Sequence, residues 1–186
     1  MKNHGNDDAY TRIGRYLCLI LRHKPEVIGI ILDRHGWADV NALLDGVTRT
    51  KAPLTREMLE KIVRTDEKMR YSFSEDGTKI RANQGHSVYV EVEMEERTPP
   101  EFLWHGTGEK NAASIEADGL RPGSRLYVHL SEDYETAVKV GGRRRGETLV
   151  YRVKSGEMAR DGFVFWRAAN GVWQSKYIPA AYLERK

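Results

Sequence analysis

The stretch "RYSFSEDGTKIRA", residues 70–82, predicts a β-hairpin and decides the fold of the first half of the chain. Apolar residues alternate with polar ones on both sides of its centre, around Tyr71 before the turn and around Ile80 after it. The Asp76-Gly77 pair between the two runs is a strong signal for a tight hairpin turn. We therefore expect two antiparallel strands here.

Three helices are predicted before this hairpin. The first carries apolar residues at helical spacing, has Asp7, Asp8 or Thr11 as a candidate cap, and cannot continue past Pro25. The apolar residues on its buried face are Ile13, Tyr16, Leu17, Ile20 and Leu21.

The second helix is predicted in "GWADVNALLDGV", with Trp37 on its apolar face. The third is predicted in "TREMLEKIVRTD", with Thr55 as its cap. Three helices followed by a hairpin is the order of a winged helix. That order alone does not establish DNA binding, since a fold does not fix a function.

A linker is predicted in "SVYVEVEMEERTPPEF", so we expect two lobes, residues 1–95 and 96–186. The second lobe should be mostly antiparallel strands with two helices. One helix, in "EKNAASIEADGL", should end at Gly119, and the other, in "SEDYETAVKV", should be capped by Ser131. Asn170-Gly171 marks a further hairpin. The fold class expected for the whole chain is α+β.

Composition narrows the classes of function. Lys and Arg number 30 against 27 Asp and Glu in 186 residues, an excess too small to indicate a nucleic-acid binder by charge alone. A single cysteine, Cys18, excludes an internal disulfide framework and cysteine-rich zinc modules. There is no run of about 18 apolar residues and no signal peptide in "MKNHGNDDAY". We expect a cytoplasmic protein with no membrane association.

Polar residues in unexpected places mark five stretches: "LRHKP", "IRANQGHS", "LWHGT", "YVHLS" and "VGGRRRG". Each is weak alone. Arg22 and His23 could simply complement the dipole at a helix end, and a histidine in an apolar strand is often a core residue. The sequence has no P-loop, no Rossmann glycine fingerprint and no H-E-x-x-H pair, so we expect no metal and no Rossmann-type dinucleotide site.

In this order, the five stretches closely resemble the signatures of the RNA 2′-phosphotransferase family, which removes the 2′-phosphate left at splice junctions in yeast-type tRNA splicing. The resemblance covers nearly the whole chain. It implies an N-terminal winged-helix lobe followed by a C-terminal lobe of the ADP-ribosyltransferase fold that binds NAD. It also implies RNA bearing a 2′-phosphate, similar to tRNA, as substrate. We expect a monomer.

The reaction that this resemblance implies consumes NAD in two steps. The RNA 2′-phosphate first displaces nicotinamide, which leaves an ADP-ribosylated RNA phosphate. The ribose 2″-hydroxyl then attacks the phosphorus and releases RNA 2′-OH and ADP-ribose 1″,2″-cyclic phosphate. A phosphomonoester, with a second pKa of about 6, is mostly a dianion at neutral pH, so the first step needs no general base.

The resemblance also implies the catalytic residues. Arg22, His23, Arg81 and one arginine of "VGGRRRG" match the family's phosphate-binding and catalytic set. Guanidinium groups bind phosphate bidentately, and an imidazole has a pKa suited to moving a proton in the second step. The family's loop usually reads V-G-x-R-H-G. Counting from Val140 selects Arg143, whereas counting back from Gly146 selects Arg144; we prefer Arg143.

The NAD-binding residues are implied in the same way. The "HGT" motif, His105, Gly106 and Thr107, resembles the NAD clasp of ADP-ribosyltransferases, in which the histidine bonds the adenosine-side ribose and the glycine backbone holds the nicotinamide amide. His129 and Ser131 resemble the family's second NAD motif.

Two other functions stay open. The chain could stop at ADP-ribosylation of a nucleic-acid or protein phosphate, which would leave a stable product and no cyclic phosphate. It could also be a non-catalytic winged-helix protein that binds nucleic acid, although this alternative leaves the arginine and histidine motifs unexplained.

Overall fold

The protein is described by a computed structural model over residues 4–92, 94–143 and 146–186, with side chains from residue 10 onward. Within these residues it is a mixed α and β protein with six α-helices and three small antiparallel sheets. The chain divides into two compact units, Met1–Glu93 and Met94–Lys186. Each unit has its own apolar core.

Unit 1 packs three helices against a three-stranded sheet in which β3 lies between β1 and β2. Its core includes Leu17, Leu21, Leu43, Leu59 and Ile80, all fully buried. The elements are α1 (His4–Arg22), β1 (Trp37–Asp39), α2 (Val40–Thr50), α3 (Arg56–Thr65), β2 (Tyr71–Phe73) and β3 (Lys79–Ala82), with a 3-10 turn at Pro25–Ile28.

The hairpin predicted from "RYSFSEDGTKIRA" is confirmed, because β2 and β3 pair with Phe73 opposite Ile80. Gly77 in its turn has φ +69, a left-handed conformation that glycine adopts without strain. The predicted cap of α3 is also confirmed, since the hydroxyl of Thr55 accepts a hydrogen bond from the Met58 N–H.

Two local predictions in unit 1 are wrong. Helix α1 begins at His4, so the three proposed caps, Asp7, Asp8 and Thr11, lie inside it. A helical spacing of apolar residues is seen only where one face of the helix is buried. The first turns of α1 are polar in sequence, so the spacing did not show that the helix begins there. Trp37 lies in strand β1, opposite Arg81, rather than on α2, which begins after its cap Asp39.

Unit 2 contains two antiparallel sheets, one ordered β10-β7-β5 and the other β4-β8-β9-β6. Its core includes Leu103, Tyr151, Met158, Phe165 and Ile178. The elements are β4 (Glu95–Glu96), β5 (Leu103–Gly108), α4 (Ala112–Asp118), β6 (Val128–Leu130), α5 (Tyr134–Gly141), β7 (Thr148–Val153), α6 (Ser155–Arg160), β8 (Trp166–Arg167), β9 (Trp173–Ser175) and β10 (Leu183–Arg185), with 3-10 turns at Glu109–Asn111 and Ala180–Tyr182.

The helix stop at Gly119 and the hairpin at Asn170-Gly171 are confirmed. The cap predicted for α5 is wrong: Asp133, not Ser131, accepts a hydrogen bond from the Thr136 N–H. Ser131 is instead extended, because its N–H and C=O both bond to Trp104. Helix α6 was not predicted, since six residues are too few to show a helical apolar pattern.

No helix in the described part of the chain is both long enough and apolar enough to cross a membrane.

Candidate active site

In unit 1 the end of α1 carries two of the predicted site residues, with Arg22 as its last residue and His23 directly after it. The segment that follows β3 returns to this helix end. The N–H groups of Ser87 and Val88 both donate to the Arg22 carbonyl, at 2.9 and 3.3 Å. These bonds satisfy a carbonyl that the helix itself leaves open, and they bring "IRANQGHS" beside "LRHKP".

Arg22 is half-buried, and its Nε and Nη2 atoms are buried without a hydrogen-bond partner in the described residues. Its guanidinium packs on the backbone of Gly85, where a Cβ would lie 3.5 Å from Nη1. Buried donors are costly when they are left unsatisfied. A bound anion would satisfy these guanidinium nitrogens.

Arg81 is held by an aromatic ring. It lies on β3 directly opposite Trp37 on β1, and its guanidinium carbon lies 4.3 Å from the centre of the Trp37 ring. This distance is typical of a cation–π contact, which fixes the plane of the guanidinium. Arg81 is therefore positioned by the sheet register as well as by its own strand.

Two histidines complete the cluster. Nδ1 of His23 lies 2.9 Å from the Ser87 hydroxyl. His86 is 3 % exposed, and its Nε2 is buried without a hydrogen-bond partner among the described residues. Burial, helped by the positive charges of Arg22, His23 and Arg81, lowers the pKa of His86 to about 4. Its imidazole is therefore neutral at pH 7, and the three basic side chains near it disfavour its protonation.

In unit 2 the predicted histidines lie on neighbouring strands. Nδ1 of His105 on β5 lies 3.0 Å from the backbone carbonyl of His129 on β6. A carbonyl only accepts hydrogen bonds, so Nδ1 carries the proton and Nε2 carries the lone pair. Burial lowers the pKa of His105, which keeps the ring neutral at pH 7. The His129 ring in turn accepts a bond from Arg125 at 3.3 Å.

Packing leaves no room for a side chain at position 106, so this residue has to be glycine. A Cβ there would lie 1.7 Å from the Ala137 carbonyl oxygen, because α5 touches β5 backbone to backbone. The N–H and C=O of Trp104 bond to Ser131, at 2.9 and 2.8 Å. Because these groups alternate along a strand, those of Gly106 face the same side as those of Trp104, away from β7.

Thr107 follows Gly106 on β5, and Arg143 follows helix α5. The Thr107 hydroxyl accepts a hydrogen bond from the Asn111 amide at 2.9 Å. Arg143 lies two positions after the last residue of α5 and is exposed. Arg144, the alternative to Arg143, lies outside the described residues.

The structure thus gathers Arg22, His23 and Arg81 in unit 1, and His105, Gly106, His129 and Ser131 in unit 2. Sequence reasoning assigned no role to His86 or Ser87, although both belong to "IRANQGHS". The contact of Trp37 with Arg81 had no sequence signal, since it depends on the register of β1 against β3. In the described residues, no three His, Cys, Asp or Glu side chains are grouped to hold a metal ion.

Comparison with known proteins identifies the family to which the chain belongs. A family model described as "RNA 2'-phosphotransferase, Tpt1 / KptA family" matches residues 8–177. A protein of Flavobacterium johnsoniae is 47 % identical over 97 % of this chain and 99 % of its own length. Proteins of Escherichia coli and Shigella boydii serotype 18 are each 46 % identical over 96 % of this chain and 97 % of theirs. All three are named "Probable RNA 2'-phosphotransferase".

The family match covers far more than half of the chain, and the relatives align with it almost end to end. The motifs that carried the resemblance, from "LRHKP" to "VGGRRRG", all lie within the matched residues. The chain belongs to the RNA 2′-phosphotransferase (Tpt1 / KptA) family, a family of transferase enzymes.

Proposed function

We propose that this protein transfers an internal RNA 2′-phosphate to NAD, with unit 1 as a winged-helix lobe and unit 2 as an ADP-ribosyltransferase-like lobe. The observation that carries the proposal is the cluster in unit 1. There Arg22 and Arg81 lie beside His23, and two buried nitrogens of Arg22 have no partner in the described part of the chain. A phosphate dianion supplies the charge and the acceptors that such a cluster lacks.

The order of elements supports the winged-helix assignment. Unit 1 has three helices, then a hairpin whose second strand also pairs with the short strand β1. In this proposal the lobe serves to hold RNA phosphate rather than to read DNA bases. The phosphate-binding residues lie at the end of α1 and on β3.

NAD would supply the ADP-ribosyl group. In the first part of the reaction the RNA 2′-phosphate would displace nicotinamide. In the second part the adjoining 2″-hydroxyl would attack the phosphorus, giving RNA 2′-OH and ADP-ribose 1″,2″-cyclic phosphate. In the first part, the role of this chain's residues is to hold the phosphate. Planar guanidinium groups bind two oxygens at once and leave a third free to react. The Trp37 ring under Arg81 and the Gly85 backbone under Arg22 limit the movement of both groups.

In the second part of the reaction, charge builds up on the phosphorus. Preorganised cations stabilise this charge without reorienting at the moment of reaction. His23 would take the proton of the attacking hydroxyl and return it to the departing RNA oxygen. His86, neutral at pH 7, adds no positive charge to the cluster.

The chemistry of unit 2 fits NAD. Nε2 of His105 has a lone pair that can accept a hydrogen bond from a ribose hydroxyl, since Nδ1 is committed to the His129 carbonyl. The N–H and C=O of Gly106 face away from β7, and together they match the acceptor and donor of a carboxamide. Thr107, His129 and Ser131 lie next to these groups in the chain or across the β5–β6 contact. Arg143 is proposed as a further phosphate ligand.

The test uses purified protein and an oligonucleotide with one internal 2′-phosphate. The wild-type protein should remove the phosphate only when NAD is present. Arg22→Lys should slow removal by about 100-fold or more, because lysine keeps the charge but loses the planar fork. Arg12→Lys, an exposed arginine on the same helix, is the matched control and should keep the wild-type rate. Removal without NAD, or an unimpaired Arg22→Lys variant, would contradict the proposal.

A further inference from the structure

The Ser87 hydroxyl holds the ring of His23, although the two residues lie 64 positions apart in sequence. Its oxygen is 2.9 Å from Nδ1 of the imidazole. The backbone of Ser87 is anchored separately, through its N–H, to the Arg22 carbonyl at 2.9 Å. Replacing the hydroxyl alone therefore leaves the segment attached to the end of α1.

The partner of His23 differs from those of two other histidines. Nδ1 of His35 lies 2.9 Å from the Glu91 backbone carbonyl, and Nδ1 of His105 lies 3.0 Å from the His129 carbonyl. A carbonyl holds only a ring whose Nδ1 is protonated, whereas a hydroxyl both donates and accepts. Ser87 can therefore hold the His23 ring in either neutral tautomer and in the charged form.

The same segment also supports the neighbour of His23. Gly85, two residues before Ser87, packs on the guanidinium of Arg22. His86 between them is buried and points its Nε2 toward Gly36, where a Cβ would lie 3.4 Å away. The middle residue of the segment is buried inside the unit, and the residues on either side of it, Gly85 and Ser87, contact the end of α1.

We propose that Ser87 is a positioning residue for His23: its hydroxyl fixes the imidazole through Nδ1, and Nε2 is the nitrogen that exchanges protons. The inference rests on the proposed function. In the second part of the reaction, Nε2 receives the proton of the 2″-hydroxyl as the new P–O bond forms. It returns that proton to the RNA 2′ oxygen as the old P–O bond breaks, so His23 ends in its starting state.

Single-turnover kinetics with NAD and the 2′-phosphorylated oligonucleotide test this role. Ser87→Ala should resolve the ADP-ribosylated RNA about tenfold more slowly, on the scale of one lost hydrogen bond, so that this species accumulates. Ser87→Thr keeps the hydroxyl and should restore most of the rate. Ser74→Ala, which loses a comparable 2.7 Å bond to Asp76 in the hairpin turn, is the control and should resolve the intermediate normally.

Two further measurements separate positioning from general stability. In a His23→Ala background, Ser87→Ala should cause no additional loss, because residues that act through one another are not additive. In ¹⁵N NMR of the protein without substrate, Ser87→Ala should shift the Nδ1 resonance of His23, which loses its hydrogen bond to the hydroxyl, and leave the Nδ1 resonance of His105 unchanged.

The outcomes also separate this inference from the proposed function. If His23→Ala slows resolution but Ser87→Ala resolves at the wild-type rate, the positioning role is wrong and the proposed function stands. An additive loss in the His23→Ala background, or an unchanged His23 spectrum, would also overturn it. If the wild-type protein transfers no phosphate to NAD, both proposals fail.

Discussion

At the scale of single residues, the cluster in unit 1 is unusual because it buries basic groups together. Arg22 has two buried nitrogens without a partner in the described residues, and His86 has one. Burying charge or unsatisfied donors reduces the stability of a fold. Unit 1 therefore has an arrangement that a bound anion would stabilise, which is the physical basis for proposing a phosphate site there.

His86 should make the fold sensitive to acid. Its pKa is about 4 in the folded protein, against an ordinary value of 6.5. The folded protein therefore favours the neutral ring. Above pH 6.5 the ring is neutral in both states, and His86 does not lower the free energy of unfolding. As the pH falls from 6.5 to 4, His86 becomes protonated in the unfolded chain but stays mostly neutral in the folded protein. This difference lowers the free energy of unfolding by up to about 3 kcal/mol.

Urea unfolding at pH 7.5 and pH 5 measures this effect. His86→Gln removes the titrating group. The free energy of unfolding of this variant should therefore fall less between the two pH values than that of the wild-type protein. Equal losses in the two proteins, or an NMR titration that places the pKa of His86 near 6.5, would show that its burial is wrongly described.

The site residues also show what sequence reasoning could reach. Motif resemblance selected Arg22, His23 and Arg81, and these three do lie together in unit 1. It could not assign His86 or Ser87 a role, since burial and the His23 contact appear only when the segment after β3 returns to α1. Whether the arginine and histidine cluster does the chemistry proposed for it stays a prediction.

At the scale of elements, strand β5 and helix α5 of unit 2 pack backbone to backbone. Gly106 on β5 lies against the Ala137 carbonyl of α5. Gly141 on α5 likewise lies close to β5, since a Cβ at position 141 would lie 2.8 Å from the Thr107 nitrogen. Backbone atoms cannot move aside as a flexible side chain can. The glycine of "HGT" thus has a structural reason to be glycine, whatever it binds.

This contact predicts a sharp difference between two glycines of the same strand. Gly106→Ala should lower the free energy of unfolding by about 3 kcal/mol or prevent unit 2 from folding, because overpacking against rigid backbone has no cheap relief. Gly108→Ala should cost little, since a Cβ there meets nothing closer than 4.0 Å. Thermal unfolding of the two variants compares them directly, and similar melting temperatures would contradict the packing described here.

Elements were predictable where their signals are local. Asp76-Gly77 specifies the hairpin turn and Thr55 specifies the start of α3, because each acts within a few residues. Strand β1 was missed because Trp37 is extended only by pairing with Arg81, which is distant in sequence. The cap of α5 was misplaced because Ser131 and Asp133 suit a cap equally well, and the bond to Trp104 decides between them.

At the scale of the whole molecule, the two units divide the proposed chemistry. Unit 1 gathers cations, which we propose bind a phosphate, and unit 2 has a neutral histidine on the edge strand β5, which we propose binds the ribose and amide of a nucleotide. The chain charge of +3 gives no hint of this division, since what matters is the local concentration of arginine and histidine. Family membership was predictable from the order of the motifs, because they extend along nearly the full chain.

The most direct test of the central claim follows the phosphorus atom. An oligonucleotide carrying ³²P only in its internal 2′-phosphate is incubated with the protein, with and without NAD, and the labelled products are separated. The proposed function predicts that the label leaves the RNA only with NAD and appears in ADP-ribose 1″,2″-cyclic phosphate. Label released as inorganic phosphate without NAD, or label kept on RNA as a stable ADP-ribosylated product, would contradict it.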